Sequence, residues 1–321
     1  MQPFTLNPVY KDYLWGGTRL KDEWGRRTDL DVVAESWELS AHPAGDATAA
    51  DGPWTGRPFS ELVRRHPEIV SDRHAADEPF PLLVKLIDAR LPLSVQVHPD
   101  DAYAARVEHG LGKTEMWVVL DHDPGAFLYM GFARDIPREE MRRRIADGTL
   151  TEVLHRAEVR KGDRFFIPAG TIHAIGGGIL IAEVQQNSDL TYRVFDYGRT
   201  GPDGRPRALH VEKALDVTTP GPADPTPPGA LPPSPVPGGS LERLADCPYF
   251  RAEVLDLDGR WGRAADGRTF LSLLCLEGEA TLRTGTAELS AHRGTSLFVP
   301  ADAGPFGLEG TARFLITSLG G

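Results

Sequence analysis

Apolar and polar residues alternate without a break through Leu93-Ser94-Val95-Gln96-Val97-His98. Leu93, Val95 and Val97 fall on one side and Ser94, Gln96 and His98 on the other, the period of a strand with one buried face. Glu115 to Leu120 is a second strand-like run, in which Glu115 shares a face with Trp117 and Val119. A third run, Phe165-Phe166-Ile167, ends in the turn Pro168-Ala169-Gly170 and leads to His173, whose backbone is placed by that rigid punctuation. Helical signals occur in three places. Phe59 to Arg65 reads as a helix start, Asp100 caps a segment that reaches Glu108 and stops at His109-Gly110, and Met141, Ile145 and Leu154 recur at helical spacing between Arg138 and Leu154. Residues 1 to about 60 carry Gly, Pro and aromatics between short strand-like runs and are expected to wrap the core. The chain therefore reads as mainly β, with a few helices covering a sheet core.

Alternation also aims chemistry. Gln96 and His98 point the same way from one strand, Glu115 opens the next, and His173 follows the third. Two imidazoles, one carboxylate and one amide oxygen, supplied by three successive strands, match what a divalent metal such as zinc accepts when water or substrate completes its shell. Gln96, His98, Glu115 and His173 are the candidate ligands.

These residues lie within a wider set of motifs. In chain order they are Leu14-Trp15-Gly16-Gly17, Ala34-Glu35-Ser36-Trp37-Glu38, Leu93 to Asp100 (LSVQVHPD), Gly112-Lys113-Thr114-Glu115-Met116-Trp117, Ile167 to His173 (IPAGTIH) and Gln185 to Arg193 (QQNSDLTYR). On them the chain resembles the type I, zinc-dependent mannose-6-phosphate isomerases, in their short bacterial branch, over roughly the first two-thirds of its length. The resemblance implies a cupin, a small jelly-roll β-barrel with the metal in its mouth. It implies one Zn2+ per chain on the same four ligands, and reversible isomerisation of mannose 6-phosphate and fructose 6-phosphate. It also carries over Arg193 as a catalytic arginine, Lys113 as a substrate-contacting lysine and Asp189 as the acidic neighbour of Arg193. An aldose-ketose isomerase moves a proton between C1 and C2 through an enediolate, whose charge a metal, an Arg or a Lys can stabilise. Lys113 precedes Glu115 by two and so points to the same side of an extended backbone. Some longer relatives have a His immediately before this lysine; here the residue is Gly112.

Between Thr218 and Ser240 the run PGPADPTPPGALPPSPVPGG has almost no apolar residues and predicts a linker or a long surface crossing. Beyond it, Tyr249 to Leu319 is again β-rich and repeats earlier grammar at an offset of 132 residues: Arg160 to Ala169 lies on His292 to Ala301, with Gly162 on Gly294 and Pro168 on Pro300. His173 then falls opposite Pro305, and Phe270 to Leu274 offers no His or carboxylate pair, so a second, metal-free cupin-like barrel is expected. The expected division is a metal-binding catalytic unit over 1–217 with helical cover, a linker over 218–240, and the second domain over 241–321.

Composition narrows the partners. A chain of 321 residues with 40% hydrophobic content has room for two modest cores. A net charge of -11 excludes a nucleic-acid surface, which needs clustered cations, whereas a sugar phosphate needs only a local basic pocket. Met1 to Thr5 lacks the basic start and apolar stretch of a leader, and no run approaches the ~18 apolar residues of a membrane span. Cys247 and Cys275 are the only cysteines, which suits a reducing cytoplasm, so a soluble, cytoplasmic protein without membrane partners is expected, as monomer or homodimer. Arg142-Arg143-Arg144 reads as a solvated helix face and Gly176-Gly177-Gly178 as a tight turn. Tyr10, Tyr192, His42 and His109 read as packing or exposed residues. Two other functions fit parts of the pattern. An iron-dependent cupin dioxygenase would use two His and a carboxylate, but Gln96 stands where its second closely spaced His belongs; a non-catalytic sugar-phosphate sensor would not need Lys113 and Arg193.

Overall fold

The alternating segment that begins at Leu93 becomes the short strand Val95–Val97, the fourth member of a five-stranded antiparallel sheet ordered Leu154–Glu158, Phe127–Phe132, His173–Ile175, Val95–Val97, Tyr192–Phe195. Facing it is a six-stranded sheet ordered Arg164–Ile167, Glu115–His122, Ile179–Gln186, Leu82–Ala89, Glu35–Leu39, Val9–Lys11. The computed structural model describes residues 1–201, 204–224 and 226–321.

The middle strands of the six-stranded sheet, Leu82–Ala89 and Ile179–Gln186, are buried at every position. Period two divides their contacts. Ile87, Ala89, Ile179 and Ile181 meet Leu128, Met130 and Ile175 of the five-stranded sheet. Leu82, Val84, Leu86, Leu180, Ala182 and Val184 instead join Leu244, Phe250, Val254 and Leu315 of the C-terminal unit. The sheet is thus covered on both faces, and its odd-numbered positions line the interior of the first barrel-like unit.

The C-terminal unit is built on a nine-stranded sheet whose long strands are Phe250–Ala265, Leu271–Arg283 and Gly304–Leu319. The repeat is visible in its hydrogen bonds. Arg164–Ile167 and Ser296–Val299 are strands at the same offset, preceded by Gly162 and Gly294 at φ 91° and 87°, a left-handed conformation that favours glycine. Gly162 N donates to Val119 O and Val119 N to Asp163 O; Gly294 N donates to Cys275 O and Cys275 N to Thr295 O, all at 2.8 to 2.9 Å.

Three expectations need correction. Leu231–Val236, inside the stretch read as a linker, is an edge strand paired with Gly239–Asp246. Its prolines are tolerated because an edge strand leaves one side unpaired, and there they also block further strand addition. Residues earlier in the stretch bond to the first unit, Phe132 N to Gly221 O and Thr219 N to Gly170 O. Secondly, the helix expected from Arg138 to Leu154 ends at Asp147, where Gly148 at φ 71° caps it, and a 3-10 turn, Leu150–Val153, follows. Thirdly, the N-terminal segment does more than wrap the first unit. Phe4–Asn7 pairs with Ser296–Val299 in the C-terminal sheet, and Phe4, Phe59 and Phe80 from the N-terminal part join Phe270 and Phe298 in one aromatic cluster.

The remaining helices follow the sequence signals. Asp100 caps Asp101–Val107 by accepting from Tyr103 N at 2.8 Å. Phe59–Arg65 forms but takes its cap from a distant residue, Asp46, whose carboxylate accepts from Ser60 N at 3.0 Å. Two short helices, Arg19–Asp22 and Val211–Val217, had no clear signal. Arg142 and Arg144 pair with Glu212 and Glu140 on the outer face, as a solvated stretch should. Both cysteines are free and buried, and no described helix is long and apolar enough to cross a membrane.

Candidate metal centre

His173 stands directly across from Gln96, and Gln96 directly across from Arg193, in the register of three adjacent strands. Residues opposite one another share a face, so these side chains form a row on the inner side of the five-stranded sheet. Glu115 comes from the facing sheet, and His98 follows the Gln96 strand by two residues from Gln96. His98, Glu115 and His173 are at most 1% exposed, and their ligating atoms lie within 4.8 Å of one another.

Two backbone carbonyls set the imidazoles. His98 Nδ1 is 2.7 Å from Leu190 O, and His173 Nδ1 is 2.9 Å from Thr171 O. A carbonyl only accepts, so each Nδ1 carries the hydrogen and each Nε2 turns a lone pair inward. Burial lowers the pKa of both imidazoles, that of His98 to about 3 with help from Lys113, so both are neutral. Burial pushes the Glu115 carboxyl up, but the Lys113 ammonium, 2.9 Å away, overrides it and holds it ionised. Glu115 Oε2 accepts from Trp117 Nε1 at 2.8 Å, while Oε1, 2.9 Å from the Lys113 ammonium but without a hydrogen bond in good geometry, lies 2.5 Å from His98 Nε2. Lone pairs aimed at an ionised oxygen in a dry site call for a cation. Gln96 Nε2 lies 3.3 Å from His173 Nε2 and Gln96 Oε1 accepts from Ser94 Oγ at 3.3 Å; flipping the amide would turn its oxygen to the imidazole and add it to His98, Glu115 and His173 as an N,N,O,O set suited to a divalent metal.

Of the other candidate residues, Lys113 is buried with Nζ 3.2 Å from His98 Nε2. Arg193 donates from Nε to Ser94 Oγ and from Nη1 to Ala208 O, both at 3.2 Å. Asp189 turns to His42 rather than to Arg193, its carboxylate 3.7 Å from His42 Nε2. Gln96, Lys113, Asp189 and Arg193 all line one pocket of about 340 Å³. A larger cavity of about 510 Å³ lies between the two units, but it contains none of the candidate ligands and its walls are Trp24, Leu120, Leu276 and paired ions. The smaller pocket is the candidate site.

Gly112 explains the missing histidine. Its N–H donates to the Asp101 carboxylate at 2.8 Å, and a Cβ there would lie 2.5 Å from Asp101 N. No side chain fits.

The sequence reading missed Glu35, Lys85, Glu183 and Arg207, all of which line the same pocket. Lys85 Nζ lies 3.4 Å from Glu35 Oε2 and 3.3 Å from Glu183 Oε2. Burial lowers its pKa, but the two carboxylates more than reverse this, so it stays charged. Glu183 is pushed up to about 7 by burial and by the Glu115 charge, and Trp117 Nε1 donates to it at 2.8 Å. A signal existed. Lys85 and Glu183 each interrupt an otherwise apolar run at an odd position, the side that faces the barrel interior.

Residues 3–124 match the family described as phosphomannose isomerase type I, catalytic domain, and residues 241–319 that described as mannose-6-phosphate isomerase, cupin domain. A mannose-6-phosphate isomerase of Streptococcus mutans is 37% identical over 93% of this chain and 92% of its own. A mannose-6-phosphate isomerase of Bacillus subtilis is 35% identical over 99% of both chains. The crystal structure of a Bacillus subtilis mannose 6-phosphate isomerase superposes with a TM-score of 0.91 at 34% identity, covering 99% of each chain. A zinc-bound mannose 6-phosphate isomerase, 19% identical, shares the fold with a TM-score of 0.78 over 100% of both chains.

Proposed function

The chain belongs to the type I phosphomannose isomerase family and interconverts mannose 6-phosphate and fructose 6-phosphate, and we propose that it does so with one zinc ion held by Gln96, His98, Glu115 and His173. Within the chain, we assign the catalytic machinery to residues 1–217, and to 241–321 a metal-free cupin-like domain that backs it.

The observation that carries this reading is the pair of Nδ1-tethered imidazoles aimed at an ionised, donor-poor Glu115 oxygen, buried behind a pocket whose lining includes Gln96, Lys113 and Arg193. A bound divalent cation would supply Lewis-acid polarisation of the sugar oxygens. The chain's own residues do the rest. Lys113 and Arg193 keep fixed positive charge where the enediolate oxygens develop theirs. Glu183, a buried carboxyl with a pKa raised to about 7, is suited to take and return the proton that moves between C2 and C1. Asp189, more than half exposed in the same pocket, accepts from a sugar hydroxyl. Beyond Arg193, Arg199 and Arg207 both pair with the single carboxylate of Asp196, so two guanidiniums share one anion. That local excess of positive charge suits a phosphate dianion, despite the acidic chain as a whole.

The test offers mannose 6-phosphate to purified protein with and without chelator while fructose 6-phosphate is followed. Formation of fructose 6-phosphate that chelator abolishes and zinc restores is expected. Full activity after complete metal removal would overturn the metal-centred reading.

A further inference from the structure

We propose that His42 is a positioning residue of this reaction, holding the Asp189 carboxylate at the sugar through its Nε2–H. The proposal rests on the reading that Asp189 acts on the substrate. It concerns a residue that lies outside the pocket lining and belongs to neither the ligand set nor the charged groups at the floor.

The geometry of His42 fixes its tautomer. Ala44 N–H donates to His42 Nδ1 at 3.1 Å. Nδ1 is therefore an acceptor, and in the neutral ring the hydrogen sits on Nε2, the atom that faces Asp189 Oδ1 at 3.7 Å. At 3.7 Å the contact is electrostatic; under this proposal it shortens to a hydrogen bond when the Asp189 side chain, 56% exposed, turns to meet the sugar. Burial lowers the pKa of His42, the Asp189 charge pulls it the other way, and Lys85 and Lys11 add to burial, leaving the ring neutral. A neutral donor orients the carboxylate without taking a proton from it.

The ring is itself held. His42 and Ala41 form one side of a two-residue hairpin against Gly45–Asp46, tied by Ser40 Oγ, which donates to Gly45 O and accepts from His42 N. Gly45 is pressed so close to the Trp37 ring that a Cβ would lie 2.9 Å from it. Trp37 meets the His42 ring edge-on at 5.7 Å, and its indole Nε1 donates to Glu35 at 2.6 Å. The hairpin thus presents a fixed neutral donor to a carboxylate carried on the loop between Ile179–Gln186 and Tyr192–Phe195.

The experiment compares His42→Ala, His42→Gln, Asp189→Asn and the double variant His42→Ala/Asp189→Asn in the zinc-loaded enzyme, with metal content and thermal unfolding measured for each. Gln reaches about as far as the imidazole Nε2 and keeps an N–H donor. We expect His42→Ala to lower kcat by roughly tenfold, the order of one positioning hydrogen bond, with His42→Gln recovering most of it and metal content unchanged. Asp189→Asn should slow the enzyme at least as much, and adding His42→Ala to it should cost nothing further. Losses that multiply in the double variant, or a His42→Gln as slow as His42→Ala, would overturn the role of His42 while leaving Asp189 in the mechanism. An Asp189→Asn enzyme with unchanged kcat and KM would overturn the reading of Asp189 and this proposal with it.

Discussion

Glu115 and Leu271 occupy the same place in the two halves of the molecule. Glu115 pairs across to Ile167 and Leu271 to Val299, and each strand four residues later exchanges the same two backbone hydrogen bonds with its glycine turn. In one half that place carries an ionised carboxylate, the proposed metal ligand; in the other it belongs to an apolar core with Leu273, Trp261, Phe306 and Phe314. The same backbone therefore supports a polar pocket or a filled interior according to which side chains it points inward.

One stoichiometric metal per chain is the expected result of elemental analysis, with His98→Ala and His173→Ala each losing most of it. Removing one of four ligands, or the imidazole of a tethered pair, costs affinity by ~10-fold or far more. A second stoichiometric metal in the intact chain would contradict the apolar filling around Leu271.

Glu183→Gln should fold and bind metal, since the amide preserves shape and its oxygen can still accept from Trp117. Its kcat should fall by ~10² to 10⁴, the usual contribution of a general base. A change below threefold would remove Glu183 from the proton transfer.

Two arginines should separate in steady-state kinetics. Arg193→Ala is expected to lower kcat by ~10² to 10³, as when one donor is taken from a developing oxyanion, with metal content intact. Arg207→Ala should instead raise KM by ~10- to 100-fold, the worth of a hydrogen bond to a charged group, because a phosphate is bound equally in ground and transition states. The reverse pattern would exchange their roles.

Ending the chain at Pro220 should prevent folding rather than yield an isolated metal-binding unit. The truncation removes Phe250, Phe270 and Phe298 from the cluster that buries Phe4, Phe59 and Phe80, and strips one face of the six-stranded sheet. Each lost Phe contact surface is worth ~1.5 to 3 kcal/mol. Circular dichroism and gel filtration of the truncated chain check this; a folded, zinc-binding product would show the first core to be self-sufficient.

Asp88 sets a pH dependence of stability. It is 2% exposed, accepts from Arg19 N at 2.8 Å, and burial pushes its carboxyl up to about 6. An acid whose pKa is raised by folding binds its proton more tightly in the native state. Its contribution is therefore complete below about pH 4, the unfolded value, and lost as pH rises through about 6. Asp88→Asn should gain on the native protein by on the order of 2 to 3 kcal/mol between those limits. Urea unfolding of chelator-treated samples at both ends of the window measures it, and a constant difference would deny the shift.

Much of the site was legible in the chain because a strand has a period of two. Gln96 and His98 had to share a face, Glu115 opened a strand-like run and His173 followed a turn that local punctuation fixes, so the candidate ligand types and their strands could be named. The repeat was legible for the same reason, since a left-handed glycine turn and a strand of fixed length leave a sequence pattern. Helix ends were legible where caps are local, as at Asp100, and not where the cap came from Asp46, remote in sequence. Only the tertiary structure decided which strands face each other, and hence that Lys85 and Glu183, each a single charge in an apolar run, meet at the pocket. It also decided that Asp189 turns to His42, and that the N-terminal strand Phe4–Asn7 completes the distant sheet. Periodicity fixes the direction of a side chain relative to its own backbone. What lies in that direction depends on sheet order and on contacts hundreds of residues apart, which no local pattern encodes.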